Sequence, residues 1–243
     1  MRYLLIFFFF SVTLAAESVD IPTMNFTLSA PDSPQQLVSS LNVLVLLTLL
    51  FLAPSMLLVM TTFTRFVIVF GFLRTALGTQ QVPPTQLLVM LALILTIFVM
   101  EPIGTKAYNQ GIKPYVEEKI GYEEAYTKTT EPFKNFMVRN TREKDLALFV
   151  RIRKMENPQS IADVPLSVII PAFVISELKT AFEIGFLLFL PFLVIDMVVA
   201  SILMSMGMMM LPPVMISLPF KILVFVLIDG WNLLIGNLIA SVK

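Results

Sequence analysis

The sequence predicts an all-α, membrane-type fold of helical hairpins whose helices are kinked and broken. Three observations carry that expectation. The 243-residue chain is 57% apolar with a mean hydropathy of +0.85, too greasy for an ordinary soluble domain. Its apolar residues collect into blocks, and about twenty such residues cross a hydrocarbon core of roughly 30 Å as a helix. Prolines interrupt these blocks, each removing a backbone donor and crowding the preceding turn. The formal net charge is zero, so no global field favours nucleic acid. Cysteine and histidine are both absent, which excludes disulfides and thiol chemistry and removes the commonest general base, metal ligand and pH switch. No cofactor or metal is expected.

In chain order, residues 1–16 read as a secretory signal peptide: Arg2, an apolar run from Tyr3 to Leu14, then small residues. Residues 17–40 form a polar N-terminal tail rich in Pro, Ser and Asn, expected to be extended. Residues 41–104 form a first apolar hairpin. Its first span, Leu41 to Met60, is expected to kink at Pro54. Arg65 and Arg74 follow, either in a short loop that marks the cytoplasmic side or on packed helices in contact with other subunits. Gly78 and Pro83-Pro84 break the chain before the helix Gln86–Met100, which is expected to stop at Glu101-Pro102-Ile103-Gly104.

Residues 105–163 change character, holding eleven of the seventeen Lys and Arg and nine of the seventeen acids. Such mixed charge predicts solvated, short amphipathic helices. Asn140 with Glu143 three residues later is a helix-start signal, and Leu146, Phe149 and Val150 share one face of the helix that follows. A basic partner-binding patch through Arg139, Arg142, Arg151, Arg153 and Lys154 is the weaker reading, because acids interleave with the bases.

Residues 164–243 form a second apolar hairpin. Ile184 to Leu211 would be roughly 42 Å as one helix, beyond a bilayer core, so Pro191 and Asp196 are expected to break it. Pro212-Pro213 turns the chain, the last arm is expected to break at Pro219, and Asp229-Gly230-Trp231 near the final turn reads as a backbone bend combined with an aromatic anchor. Hydropathy alone thus gives four spans once the signal is removed.

Glu177, Lys179, Glu183, Asp196, Lys221 and Asp229 are embedded in this hairpin. A charge at the centre of a lipid-exposed helix costs roughly 3 kcal/mol, so these side chains must face one another, a neighbouring chain or a watery lumen. The expectation is that they, with Arg65 and Arg74, make sense only as contacts between sister subunits. Lys179 and Glu183 also fit a pair one helical turn apart. Asp196 and Asp229 raise the possibility of an aspartyl protease, but neither sits in the Gly-x-Gly-Asp or Tyr-Asp pattern of intramembrane enzymes. No Walker phosphate loop is present. A proton-coupled transporter or channel subunit using the embedded acids is the more serious alternative. Met204, Met206, Met208, Met209 and Met210 crowd a seven-residue window beside Gly207. Flexible, polarizable side chains there either fill a helix seam or, aimed at one axis by several chains, form a deformable apolar constriction.

Two long motifs carry a family resemblance. Pro171-Ala172-Phe173, Ser176-Glu177, Phe182-Glu183-Ile184-Gly185 and then Pro219-Phe220-Lys221 with Asp229-Gly230-Trp231 resemble the two signatures of the FliP family, and Phe72-Leu73-Arg74 and Ala76-Leu77-Gly78-Thr79 agree upstream. The resemblance covers nearly all of the chain from about residue 40 and implies a non-catalytic core subunit of the flagellar type III export gate, similar to virulence-secretion counterparts. It implies a homo-oligomeric ring of about five copies, with FliQ-like and FliR-like subunits and FlhB-like and FlhA-like neighbours. Unfolded flagellar proteins would cross it in transit, and no nucleic acid would be bound. It places the ring at the basal body in the inner membrane, in contact with lipid and extending toward the periplasmic side. It also implies a methionine gasket, carried here by Met208, Met209 and Met210, with Met206 at its edge.

Overall fold

A computed structural model describes residues 34–79, 81–155, 163–208 and 210–242. Residues 1–16, read as a signal peptide, and most of the expected polar tail lie outside the described residues. The chain divides into two units, residues 1–49 and 50–243. In the described residues every regular element is helical: α1 (Pro34–Val59), α2 (Phe63–Ala76), α3 (Thr85–Ala107), α4 (Lys113–Val116), α5 (Tyr122–Asn140), α6 (Glu143–Ile152), α7 (Leu166–Ser205), α8 (Pro213–Leu227) and α9 (Gly230–Ala240). A π-helical turn, Tyr108–Ile112, joins α3 to α4.

Several expected breaks are absent. α1 already starts at Pro34 within the expected extended tail. α3 passes through Glu101 and Pro102 to Ala107, α7 passes through Pro171, Pro191 and Asp196, and α8 passes through Pro219. An interior proline costs about 3 kcal/mol in an isolated helix. Tertiary packing offsets that: Ile169, Ala172 and Phe173 around Pro171 are wholly buried, and Phe192 beside Pro191 is nearly so. α7 is 40 residues, about 60 Å long. The expected helix start at Asn140 is also displaced. Asn140 closes α5, and α6 starts at Glu143 after Arg142.

Two cores are strung along α7. The first joins Phe66, Val69, Phe70 and Leu73 of α2 to Leu88 and Ala92 of α3, Ala181 and Phe192 of α7, Phe225 of α8 and Leu234 and Leu238 of α9. The second joins Met100 of α3, Phe136 and Met137 of α5, Val150 of α6 and Val168, Ile169 and Phe173 of α7. Leu146 and Phe149 pack against that second core, on the face expected of α6. Gly185 lets α7 approach α2, since a Cβ there would lie 2.3 Å from the Phe72 ring. That ring makes edge contacts with Phe182 and Phe189 at 5.2 and 6.0 Å.

By length and composition, two helices can cross a membrane: Thr85–Val116, which runs on from α3 through the π turn, and α7. α8 and α9 together qualify as a third, broken span bent by 66°. These are the spans among the described residues; the first of the four expected from hydropathy, Leu41 to Met60, falls on α1. The bend lies at Asp229, not at Pro219: Asp229 is left-handed at φ 51° and immediately precedes α9.

Candidate functional site

The embedded charges resolve into separate clusters. Arg65 on α2 and Glu177 on α7 form a two-pronged pair: the Arg65 Nε donates to Glu177 Oε2 at 2.8 Å and its Nη2 donates to Oε1. The remaining guanidinium nitrogen, Nη1, donates to the Ser241 carbonyl at 2.8 Å and to its Oγ at 2.9 Å, which pins the chain just beyond α9. Arg65 and Glu177 are 2% and 1% exposed. Removing two such groups from water is expensive, and this fork compensates because nearly every donor has an acceptor.

On the other side of the first core, Lys221 of α8 donates to Asp196 Oδ2 of α7 at 2.7 Å and to the carbonyl of Ala76 at 3.1 Å. Ala76 ends α2, so the ammonium also meets the negative end of a helix dipole. Ser217 donates to Asp196 Oδ1 at 2.5 Å. Lys221 is 3% exposed and Asp196 32%. Arg65, Glu177, Asp196 and Lys221 therefore find their partners inside one chain. Of the three surroundings expected for such charges, facing one another is the one these four have within the chain.

A third cluster clasps α6 to α7. The backbone N–H of Arg142 donates to Ser176 Oγ at 3.0 Å, and that hydroxyl donates to Asp145 Oδ2 at 2.6 Å. The Arg142 side chain reaches Glu183 at 2.5 Å, closer than Lys179 at 3.9 Å, so the expected helical pair is secondary to a contact across elements. Arg142, Ser217, Asp145 and Ser241 were not legible as partners of the embedded charges, because contacts between distant segments leave no local pattern. Arg74 donates to Thr85 Oγ1 at 2.8 Å. Asp229 is exposed at the α8–α9 bend. Next to it, Gly230 makes room for the Phe225 ring, which would lie 2.3 Å from a Cβ, while Phe225 meets Trp231 edge-on at 5.6 Å. Among the family-motif positions, Pro171, Ala172, Phe173, Ser176, Phe182 and Gly185 all lie on α7, Pro219 lies on α8, and Gly230 and Trp231 open α9.

The methionine window is the turn between α7 and α8. Met206 follows the last helical residue, and Gly207 adopts φ 76°. Gly207 N–H reaches the Met204 carbonyl and Met208 N–H the Leu203 carbonyl, both at 3.0 Å. This pattern closes a helix with a glycine in the left-handed position. Beyond it, Met206, Met208 and Met210 are exposed, Met210 to 98%. Met209 lies outside the described residues. The structure thus presents an apolar tip held by a defined helix end, and within one chain these methionines fill no seam.

Comparison with known sequences agrees with the motifs. A sequence model described as the FliP family matches residues 46–238. "Flagellar biosynthetic protein FliP" of Bacillus subtilis (strain 168) is 57% identical over 208 residues, covering 86% of this chain and 94% of that protein. The protein of that name from Caulobacter vibrioides is 56% identical over 196 residues, covering 81% of this chain and 74% of its own. The one from Treponema pallidum is 49% identical over 223 residues, covering 91% and 82%. With the match running from within α1 into α9 and taking in the buried ion pairs, the bend and the methionine turn, the chain belongs to the FliP family.

Proposed function

We propose that this chain is a non-catalytic subunit of the flagellar type III protein export apparatus and that copies of it form a passive conduit for unfolded substrate proteins across the bacterial inner membrane. The names of its relatives support the flagellar assignment. The observation that carries the conduit reading is the methionine turn. Exposed, flexible thioether side chains at the junction of two apolar helices are poorly suited to water and to catalysis. Several of them around an axis make a deformable seal that excludes ions and yields to a polypeptide. The apolar surface along α7 and α8, including Phe186, Leu187, Val194, Phe220 and Val226, is larger than a monomer in water leaves uncovered. In this reading a ring of about five copies, FliQ-like and FliR-like subunits and lipid cover it, with FlhB-like and FlhA-like proteins adjoining. Arg74, Lys179, Glu183 and Asp229, which are less enclosed than the internal pairs, serve as contacts between subunits. Energy comes from outside the chain.

The test is ionic leak through the assembled complex. Replacing Met208, Met209 and Met210 together with Ala should raise small-ion conductance severalfold while export of flagellar cargo persists. Conductance unchanged from wild type in a normally assembled complex would overturn the seal.

A further inference from the structure

Acids and bases interleave along the sequence of α6, but the fold sorts them onto different faces. Asp145 is taken by the Ser176 hydroxyl at 2.6 Å, and Arg142 by Glu183, both on α7. Elsewhere on α6 a groove of about 630 Å3 is lined by Lys144, Ala147, Leu148, Arg151, Lys154 and Met155, and no acid lines it. Lys144, Ala147, Leu148 and Arg151 recur at helical spacing, so they share one stripe, and all four are exposed. Among the described residues Lys144, Arg151 and Lys154 form no ion pair. Two details set these bases apart from ordinary solvated charge. Lys144 lies in the first turn of α6, where the helix dipole disfavours a cation, and the Lys179 ammonium is within hydrogen-bonding reach of it. Ammonium groups offer donors only, so an acceptor belongs beside them. Lys154 closes α6 at φ 52°, with its N–H on the Arg151 carbonyl at 3.0 Å and the Met155 N–H on the Val150 carbonyl at 3.2 Å. Glycine is the usual residue at that left-handed place, because a side chain strains it.

We propose that this groove binds an acidic amphipathic helix of a partner protein. One carboxylate caps Lys144 where Lys179 crowds it, an apolar side chain rests on Ala147 and Leu148, and a second carboxylate meets Arg151 and Lys154. The spacing selects that chemistry. Lys144 and Arg151 are about 10 Å apart along the helix axis, the rise of seven residues. A facing helix with acids seven positions apart and an apolar residue midway matches both bases and the floor between them. Guanidinium suits a carboxylate through paired donors. A phosphate-rich polymer would use the bases but leave Ala147 and Leu148 uncovered. Neither the ring nor the methionine seal is needed for this contact.

The test is fluorescence anisotropy of labelled helical peptides titrated with the full chain in non-ionic detergent at low salt. The probe carries glutamates about seven positions apart with a leucine midway, on an alanine and glutamine background. One comparison peptide has glutamine for both glutamates, and another sets the glutamates about five positions apart, off a common face. The wild type should bind the probe about tenfold more tightly than either comparison, the ratio that two partly exposed ion pairs supply. Lys144→Glu with Arg151→Glu should abolish that preference, and Arg153→Ala, outside the groove, should leave it unchanged. Lys154→Gly relieves the left-handed backbone, so its unfolding midpoint should hold or rise while affinity for the probe falls about threefold. Unchanged affinity in Lys154→Gly overturns the proposal, as does a midpoint that falls in step with affinity, which would make Lys154 structural. Equal binding of the three peptides overturns it too. So does tighter binding to phosphatidylglycerol vesicles than to the probe, or self-association that the double variant abolishes while no peptide binds, results that would assign the face to a membrane surface or to a second copy.

Discussion

The two ends of α7 obey different physical rules. Toward its start, Ile169, Phe173, Ser176 and Glu177 are enclosed on several sides by α2, α5 and α6, and even the charge among them is fully paired. Toward its end, Leu193, Val194, Met197, Val198 and Ile202 are exposed, and the helix stops in bare methionines. One end is the inside of a folded unit. The other has helical geometry but an apolar surface that a single chain leaves uncovered, the condition of a part awaiting neighbours. One continuous helix is therefore enclosed scaffold at one end and, at the other, the surface that the proposed ring would cover.

The sharpest way to break this contrast is at the enclosed end. Glu177→Ala strands the Arg65 guanidinium without its carboxylate and should destabilise the chain by about 3–5 kcal/mol, read as a fall in the unfolding midpoint in detergent. Replacing both partners, as Arg65→Met with Glu177→Leu, should cost less than either single change, because no unpaired charge remains buried. A double variant as unstable as the singles would show that the fork has a role beyond neutralisation. Gly185→Ala should cost about 1–3 kcal/mol by overpacking Phe72, which the same midpoint detects. The smallest effect belongs to the far end: Met210→Ala should leave the unfolding midpoint of the single chain within about 0.5 kcal/mol of wild type. A large loss there would mean that the turn is already packed, and the contrast between the two ends would fail.

Much of the arrangement was legible beforehand. The all-helical class and the face of α6 with Leu146, Phe149 and Val150 stand as read. The breaks did not. Pro102, Pro191 and Pro219 each read as interruptions because the penalty of a proline is local and visible, while the packing that outweighs it comes from residues far along the chain. The bend at Asp229-Gly230-Trp231 was readable, and the 66° break lies there; only the break at Pro219 is absent. Asp229 bends the chain by taking a left-handed backbone just before Gly230, whose lack of a side chain makes room for the Phe225 ring.

Composition and motif sufficed to establish an all-helical chain of membrane-grade greasiness, its family, and which charged side chains would be out of place. They could not say where those charges go. Arg65 and Glu177 are separated by 112 positions, and Asp196 and Lys221 by 25 across a turn. A helix brings together residues three or four apart, so periodicity is blind to such pairs. Folding two cores onto one long helix is what makes these partners meet inside a single chain.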